Sequence, residues 1–373
     1  MKYSIVLPCR NEQAAIAFCI KNIKQTMNKA GIKDYEIIVS DSSSDNSPKI
    51  AKKLGARVIK HNKEGYGIAY LEGFKAAKGE YIFCADSDGS YDFKEIPLFL
   101  KHLDMGYDLV IGNRFKGRME KNAMSCSHKY IGNPILSGIL RLFFKTKIHD
   151  AHCGMRAITK TALEKLNLQT TGMEFASEMI IKAAKSNLKI KEIPINYYKR
   201  KGSSKLKPFA DGWKHLRFML LYSPLFLFFI PGIFLFLIGL ISMLWLYVGI
   251  EISRIKFFYH PMFLSSLLLI IGYQLIIFSF FAKTYTITHL QEENPIIEKL
   301  YKKITIEKAS IFGISVVLLG IIIYLTIFFK WFKSGFGELY EIKNSIIALT
   351  LIIIGIQTIF SSFMLSILGI KEK

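Results

Sequence analysis

The sequence predicts an α/β domain with a mostly parallel sheet, followed by interfacial helices and four transmembrane helices. Early in the chain, short apolar runs alternate with segments of helical spacing, which is typical of parallel strands joined by helices. Beyond residue 217, four long stretches lack Lys, Arg, Asp and Glu, and a helix that crosses a bilayer needs about 20 apolar residues. We expect the α/β domain at residues 1–207, an amphipathic interfacial helix at 208–231 and a membrane domain at 232–373.

The elements of the first domain follow one another in strict alternation. The first strand is an apolar run that ends at Pro8, and the helix after it carries Ile16, Ile20 and Ile23 at helical spacing. The second strand ends at Asp41. The predicted strands are residues 4–7, 36–39, 56–59, 81–85 and 109–111, and the predicted helices are residues 14–27, 48–54, 68–77 and 96–103.

The membrane domain has four predicted spans, at residues 232–250, 258–282, 309–329 and 345–369. A strand pattern begins directly after Met1 with no apolar leader, so we expect the first domain to stay in the cytoplasm. An even number of spans returns the C-terminus to the same side. The lysines of the 284–308 loop fit this orientation under the positive-inside rule. The prediction is a multi-pass membrane protein with both termini cytoplasmic.

Charge and cysteine content narrow the class of partner. The net charge is +21, and most of it lies before residue 218. Such an excess attracts nucleic acid, anionic lipid or phosphorylated substrates. Because the chain carries a membrane anchor, we expect no nucleic acid partner. The five cysteines form no CxxC pair, which argues against a cysteine metal site and fits a reducing cytoplasm.

Polar loops follow the predicted strands, at the edge where parallel sheets bind their ligands. The fourth strand is followed directly by Asp86-Ser87-Asp88-Gly89-Ser90. Two carboxylates one residue apart form a hard-oxygen site that suits Mg²⁺ or Mn²⁺, usually completed by water and substrate phosphates. The other strand-end loops are residues 8–12, 41–47, 62–67 and 112–115.

In their order and spacing, these motifs resemble family 2 glycosyltransferases with the GT-A fold. More narrowly, the chain is similar to polyprenyl-phosphate glycosyltransferases of the dolichyl-phosphate mannose or glucose synthase type. The resemblance covers residues 1 to about 224. It depends on PCRNE at 8–12, the loop at 41–45, DSD at 86–88, GNR at 112–114, the run at 150–156 and RKGSSK at 200–205.

The resemblance implies a pocket for the donor nucleotide and a divalent cation. The residues assigned to the donor pocket are Pro8, Arg10, Glu12, Asp41, Gly65, Asp86 and Ser87. Among them, Asp41 would contact the base. Asp86 and Asp88 would hold Mg²⁺ or Mn²⁺, and Ser90 would be a third ligand where many relatives have Gln.

The acceptor implied by the resemblance is a polyprenyl phosphate, largely dianionic at neutral pH. It needs cationic positioning more than a general base. Arg114, Arg200 and Lys205 are the candidates, and Gly202 belongs to a flexible, lid-like stretch beside the last two. With Asp88 and Asp150, these three cations form the predicted catalytic set.

Two acidic residues in this part of the chain have alternative roles. Asp150 either positions donor sugar or acceptor, or forms a salt bridge with Arg156. Glu178 lies four residues after Glu174 on one helix face. We expect Glu178 in the site, and stabilisation of the helix N-terminus is the alternative.

The predicted activity is inverting transfer of one hexose, glucose or mannose, from UDP-glucose or GDP-mannose to dolichyl or undecaprenyl phosphate on the cytoplasmic leaflet. A processive polysaccharide synthase is one alternative, but its QxxRW motif is missing. A non-catalytic membrane scaffold is another, and the intact pair of Asp86 and Asp88 argues against it. A homo-oligomer is compatible with the sequence.

Overall fold

The computed structural model describes residues 1–202, 208–249, 258–289 and 305–369. The chain divides into two compact units, Met1–Tyr222 and Ser223–Lys373. Lys205, predicted to bind the acceptor phosphate, lies outside the described residues. The domain boundaries proposed at 207/208 and 231/232 stay predictions.

The first unit is built on a seven-stranded sheet with the order β3-β2-β1-β4-β6-β5-β7. Every neighbouring pair is parallel except those of β6, which runs antiparallel to β4 and β5. The predicted class, a mostly parallel sheet, is confirmed. The strands are β1 (Tyr3–Cys9), β2 (Tyr35–Asp41), β3 (Arg57–Lys60), β4 (Tyr81–Cys84), β5 (Leu109–Asn113), β6 (Arg156–Thr159) and β7 (Ile190–Pro194).

Eight helices accompany this sheet in the described part of the first unit. They are α1 (Ile16–Lys29), α2 (Ser47–Lys53), α3 (Tyr66–Ala76), α4 (Ile96–Asp104), α5 (Asn133–Phe144), α6 (Lys160–Leu166), α7 (Phe175–Lys185) and α8 (Pro208–Leu221). Short 3₁₀ and π turns at Phe93–Glu95 and His128–Gly132 precede α4 and α5.

The core explains why the strands read as continuous apolar runs. Ile5, Val6 and Leu7 of β1 are all fully buried, because helices cover both faces of the sheet. Ile16 and Ile20 of α1 are fully buried as well, at the spacing of one helical face. Truncating such a side chain to Ala costs roughly 2–5 kcal/mol. This packing fixes the sheet edge on which the site is built.

The second unit contains four helices long and apolar enough to cross a membrane, among the residues that the structure describes. They are α9 (Ile230–Val248), α10 (His260–His289), α11 (Ile306–Lys333) and α12 (Ile342–Gly369). A π turn at Leu225–Phe229 precedes α9, so the first candidate span begins at Leu225.

The helices of the second unit form two antiparallel hairpins, α9 with α10 and α11 with α12. Glycines allow the close approach within each hairpin. A Cβ on Gly272 would lie 2.7 Å from the carbonyl oxygen of Gly232, and one on Gly313 would lie 2.9 Å from that of Gly355. Each hairpin is therefore held at a distance that larger residues would not permit.

Polar pairs connect the two hairpins between α10 and α12. The hydroxyls of Ser266 and Thr350 lie 2.6 Å apart, and Gln357 donates to Gln274 at 2.8 Å. Within a membrane such pairs satisfy side chains that would otherwise face hydrocarbon, and each contributes about 0.6 kcal/mol on average.

Candidate active site

Three loops meet at the carboxyl edge of the sheet. The strand register pairs Cys9 with Asp41 and Val6 with Cys84, so the loops after β1, β2 and β4 begin side by side. The hydroxyl of Ser87 donates to the carbonyl of Pro8 at 2.5 Å. Two residues predicted to line the donor pocket, Pro8 and Ser87, are thus joined directly.

Asn11 ties the first of these loops to the second. Its backbone N–H donates to the Ser43 hydroxyl at 2.8 Å, and its side-chain carbonyl accepts from the Ser44 N–H at 2.9 Å. Asn11 has a φ of 55°, in the left-handed region that Asn tolerates better than most residues. The Glu12 N–H donates to the Ser47 hydroxyl at 2.9 Å. These bonds fix the direction in which Arg10 and Glu12 leave the sheet.

The carboxylates of Asp86 and Asp88 are held by different partners. Asp86 accepts from the Tyr70 hydroxyl at 3.0 Å. Asp88 accepts from the Ser90 N–H at 2.9 Å and from the Ser90 hydroxyl at 2.5 Å, both on Oδ1. Burial, followed by the charge of Asp88, raises the pKa of Asp86 to about 6. Tyr70 was not found from sequence, because its spacing on α3 reads as core.

Gly154 lies against the Asp86 carboxylate, where a side chain would collide with it. A Cβ at this position would lie 2.7 Å from Asp86 Oδ2. The loop that carries Gly154 leads into β6, and because β6 runs antiparallel, its amino end lies at the carboxyl edge of the parallel strands. The run at 150–156 therefore meets the aspartate pair although it is not itself a strand-end loop of the parallel set.

Arg200 lies between two acidic residues of the site. Its Nη2 is 3.4 Å from Asp88 Oδ2 and 3.6 Å from Glu12 Oε1. Its Nε is buried and donates to no group in the described ranges. The next residue, Lys201, donates its backbone N–H to the carbonyl of Asp88 at 2.8 Å. The structure thus brings Arg200, Asp88 and Glu12 together.

Asp41 is fully buried at the end of β2. Neither of its carboxylate oxygens accepts a hydrogen bond from the part of the chain that the structure describes. A buried carboxylate without partners is costly, so native structures rarely keep one without a reason. This feature makes Asp41 a candidate for contact with a bound ligand.

Arg10 and Gly65 lie in the loops that follow β1 and β3. Arg10 forms an ion pair with Glu64 at 2.6 Å, and both side chains are exposed. Gly65 has a φ of 148°, and a Cβ there would clash with the carbonyl oxygen of Thr171. Glycine is therefore required for the close packing of this loop against residues 170–172.

Arg114 and Asp150 form a buried bidentate ion pair. Arg114 Nε and Nη2 donate to the two oxygens of Asp150 at 2.8 and 2.7 Å, and the Arg114 backbone N–H donates at 3.0 Å. The charge of Asp150 holds the pKa of Arg114 well above its ordinary value, although burial acts in the opposite direction. The alternative of an Asp150 salt bridge with Arg156 is wrong. Arg156 instead donates to backbone carbonyls, including those of Ala151 and Cys153.

Glu178 is placed away from this cluster. It is fully buried and accepts from the N–H groups of Gln169 and Thr170, and it pairs with Lys182 at 2.7 Å. Glu178 therefore holds the loop before α7 in place. The helix α7 packs against α3. The structure therefore favours a structural role over the expected role in the site.

His152 and His215 form a contact that the sequence did not indicate. Their ring centroids are 4.3 Å apart with the rings nearly perpendicular. Burial is the main cause that lowers the pKa of both, to about 4 for His215 and well below its usual range for His152. The nitrogens of His152 have no partner among the described residues. Burial thus favours the neutral form of both rings.

The donor set at the aspartate pair fits a divalent cation. Asp86 and Asp88 are hard oxygen ligands, and a bound divalent cation would offset the burial and the charge of Asp88 that raise the pKa of Asp86. Within the described ranges, no group of three or more His, Cys, Asp or Glu is arranged to hold a metal ion. Water and phosphate oxygens commonly complete such carboxylate sites.

Comparison with known proteins gives the family. Residues 4–167 match the model for glycosyl transferase family 2, and residues 281–369 match the family 2 C-terminal transmembrane region. The chain is 37% identical to the low-salt glycan biosynthesis hexosyltransferase Agl6 of Haloferax volcanii over 367 residues, which is 98% of this chain and 89% of that protein. It therefore belongs to glycosyltransferase family 2.

Two further comparisons each cover more than half of the chain. The dolichyl-phosphate hexose transferase of Haloferax volcanii is 31% identical over 56% of this chain and 88% of its own length. Among solved structures, glucosyl-3-phosphoglycerate synthase from Mycobacterium tuberculosis has a TM-score of 0.49 and 22% identity, covering 60% of this chain and 79% of that one. The protein is a multi-pass membrane glycosyltransferase with hexosyltransferase relatives.

Proposed function

We propose that the protein transfers a single hexose, with inversion, from a nucleotide-diphosphate sugar to a polyprenyl phosphate on the cytoplasmic leaflet. The observation that carries this proposal is the placement of Arg200 within reach of both Asp88 and Glu12. At this sheet edge, Asp86 and Asp88 are suited to bind a divalent metal ion, and the nearby Arg200 is suited to bind a phosphate. The dolichyl-phosphate hexose transferase relative supports a lipid phosphate as acceptor.

The donor would bind across the loops after β1, β2 and β4. Asp41 is assigned to the base, because its carboxylate is buried without a partner in the described ranges. Pro8, Arg10 and Glu12 would line the nucleotide pocket, with Ser87 and Gly65 shaping its walls. UDP-glucose and GDP-mannose are the two proposed donors.

Asp86 and Asp88 would hold Mg²⁺ or Mn²⁺ beside the donor diphosphate. A divalent cation there supplies charge neutralisation for the leaving nucleoside diphosphate. The Ser90 hydroxyl orients Asp88 by donating to Oδ1, and its lone pairs remain as a third oxygen ligand. Gly154 keeps the space that Asp86 needs. The protein side chains would thus position the metal ion, and the donor phosphates would complete its coordination.

The acceptor phosphate would be held by Arg114, Arg200 and Lys205. Arg114 uses Nε and Nη2 on Asp150, so Nη1 remains outside this bidentate pair. Asp150 is therefore a positioning residue for Arg114 in this arrangement. A phosphate dianion is itself a nucleophile and needs little help from a base. Attack in line with the leaving diphosphate would invert the anomeric centre.

The first unit offers a surface suited to the bilayer interface. Phe209 and Trp213 on α8 are 95% and 58% exposed, and Lys214 and Arg217 lie on the same helix. Exposed aromatic side chains beside cations favour contact with an anionic leaflet. We propose that this surface contacts the cytoplasmic leaflet, with the catalytic unit and both termini in the cytoplasm.

The proposal is tested with purified protein in detergent, incubated with nucleotide sugars and polyprenyl phosphates. The readout is release of nucleoside diphosphate together with lipid-linked hexose, with Mg²⁺, Mn²⁺ or a chelator present. Asp86→Asn and Asp88→Asn are expected to lose about 100-fold or more in rate. Asp104→Asn is the matched control, since Asp104 is an exposed partner of Lys2. Unchanged product formation in both site variants would contradict the proposal.

A further inference from the structure

Tyr70 is a buried tyrosine whose hydroxyl reaches the carboxylate pair of the candidate site. It lies on α3, and only 1% of its surface is exposed. Its hydroxyl donates to Asp86 Oδ1 at 3.0 Å. A buried tyrosine normally finds a hydrogen-bond partner for its hydroxyl, and here that partner is a carboxylate suited to a divalent cation. Any effect of Tyr70 on a bound cation must therefore pass through Asp86.

The aromatic ring of Tyr70 is fixed by its neighbours. It stacks on Phe175 of α7, with ring centroids 5.4 Å apart and an interplanar angle of 3°. Tyr66 and Phe74 are four residues away on either side along α3, so they share its face of the helix. Their ring centroids lie 5.0 and 5.8 Å from that of Tyr70. Because the ring is enclosed in this way, the direction of its hydroxyl is fixed as well.

The start of α3 is attached to the turn that precedes α7. The backbone N–H of Gly67 donates to the carbonyl of Gly172 at 3.2 Å, and that of Ile68 donates to the carbonyl of Thr171 at 3.2 Å. The two segments approach so closely that a Cβ on Gly67 would lie 2.2 Å from the carbonyl oxygen of Thr170. These contacts hold the helix that carries the tyrosine against the turn before α7.

The Asp86 carboxylate is confined from two directions. Tyr70 engages Oδ1, and Gly154 lies so close that a Cβ there would be 2.7 Å from Oδ2. The terminal torsion of an aspartate side chain is otherwise broad and roughly two-fold. A fixed donor at one oxygen selects one of these orientations. Asp86 as a whole stays partly exposed, so a ligand can reach the carboxylate in the orientation that Tyr70 selects.

Asp88 is held in a similar way by a nearer residue. The Ser90 hydroxyl, two positions along the chain, donates to Asp88 Oδ1. Tyr70 is 16 positions from Asp86. In each carboxylate of the pair, one oxygen thus accepts from a hydroxyl of the chain. The contact of Asp88 is local, whereas the contact of Asp86 depends on the packing of α3 and α7 behind it.

We propose that Tyr70 is a positioning residue of the cation site: its hydroxyl holds Asp86 Oδ1 and leaves the second carboxylate oxygen for the divalent cation. The inference rests on the proposed function, which assigns Mg²⁺ or Mn²⁺ to Asp86 and Asp88. Groups that hydrogen-bond to metal ligands orient them, and losing such a group typically lowers metal affinity or activity by about 10–100-fold. Without the hydroxyl, Asp86 keeps its charge and loses its orientation, so the cation binds more weakly although both carboxylates remain.

Tyr70→Phe tests this proposal, because it deletes the hydroxyl and keeps the ring that packs on Phe175. Binding of Mn²⁺ to the full-length protein in detergent is followed by electron paramagnetic resonance, with UDP or GDP present at a fixed concentration. Tyr81→Phe is the matched control, since Tyr81 begins β4 at the end of the strand opposite Asp86. The Mn²⁺ dissociation constant is expected to rise roughly tenfold in Tyr70→Phe and less than about twofold in Tyr81→Phe. A Tyr70→Phe protein with the Mn²⁺ affinity of wild type would overturn the inference.

Thermal unfolding with and without Mn²⁺ separates positioning from a structural role of Tyr70. A ligand stabilises the folded state according to the ratio of its concentration to its dissociation constant. If Tyr70 positions Asp86, Mn²⁺ should raise the melting temperature of Tyr70→Phe less than that of wild type. If the tyrosine is only structural, the variant should melt lower by the same amount in both conditions, and that result would contradict the proposal.

Hexose transfer by the same preparations distinguishes this inference from the proposed function. A wild type that binds Mn²⁺ and forms lipid-linked hexose, beside a Tyr70→Phe protein of unchanged Mn²⁺ affinity, contradicts only the role of Tyr70. A wild type that binds Mn²⁺ and forms no lipid-linked hexose contradicts the proposed function, while a weaker Mn²⁺ affinity in Tyr70→Phe still supports the role of Tyr70. A wild type that does not bind Mn²⁺ contradicts both.

Discussion

Removing one partner of the Arg114–Asp150 pair is expected to reduce stability and activity through separate effects. The pair makes two side-chain hydrogen bonds at 2.7 and 2.8 Å, and both residues are buried. Asp150→Ala leaves a buried guanidinium without its carboxylate, which costs about 3–5 kcal/mol. For a unit of this size, that corresponds to a fall of roughly 6–20 °C in the melting temperature.

The double variant Arg114→Met/Asp150→Leu separates the two effects. Replacing both charges by apolar groups removes the uncompensated charge, so most of the stability should return. The return is incomplete, because the Arg114 amide loses its acceptor Asp150, at a cost of about 1–3 kcal/mol. Activity should stay lost, since the double variant still lacks the guanidinium proposed to hold the acceptor phosphate.

The assay combines thermal unfolding in detergent, followed by intrinsic fluorescence, with hexose transfer measured on the same preparations. An Asp150→Ala protein that melts within about 2 °C of wild type would refute the stability reasoning. A stable double variant that retains wild-type activity would refute the placement of Arg114 in the acceptor site.

Three further predictions concern neighbouring residues. Gly154→Ala should lower kcat about 100-fold with the fold retained, because the new methyl group displaces Asp86; wild-type kcat would contradict this. Asp41→Asn should raise the donor KM roughly 10–100-fold without lowering the melting temperature, since it removes a buried charge; an unchanged donor KM would exclude contact with the donor. The pKa of His215 is lowered to about 4, so the unfolded state takes up its proton first, and stability falls as pH drops from about 6.5 to 4. His215→Phe should flatten this dependence in unfolding measured at several pH values, and an unaltered slope would show that His215 is not the cause.

The sheet could be predicted in part from the sequence. β1, β2 and β4 are buried on both faces and read as apolar runs, so their position was evident. β6 and β7 were missed. β6 has four residues beginning with Arg156, and it is a strand because it fits between β4 and β5. That placement depends on tertiary contacts, which local periodicity does not encode.

The site could be predicted where it depends on strand ends and less well where it depends on long-range pairing. The contact of Ser87 with Pro8 in the loop after β1 follows from the parallel register. The pairing of Arg114 with Asp150 spans 36 positions, whereas Arg156 was nearer in sequence and was offered as the alternative partner. Glu178 has the acidic side chain that is common in such sites, but its burial and its hydrogen bonds to Gln169 and Thr170 give it a structural role. The chemical type of a side chain alone did not distinguish residues of the site from residues with a structural role.

The central claim is that one hexose passes from a nucleotide sugar to a lipid phosphate at the Asp86 and Asp88 site. The most direct measurement is mass spectrometry of the lipid fraction after purified protein is incubated with labelled nucleotide sugar, polyprenyl phosphate and Mg²⁺ or Mn²⁺. The account predicts a polyprenyl-phosphate hexose with one sugar, formed by wild type and lost in Asp88→Asn. Nucleoside diphosphate release without any lipid-linked hexose, or a lipid that carries several added sugars, would contradict it.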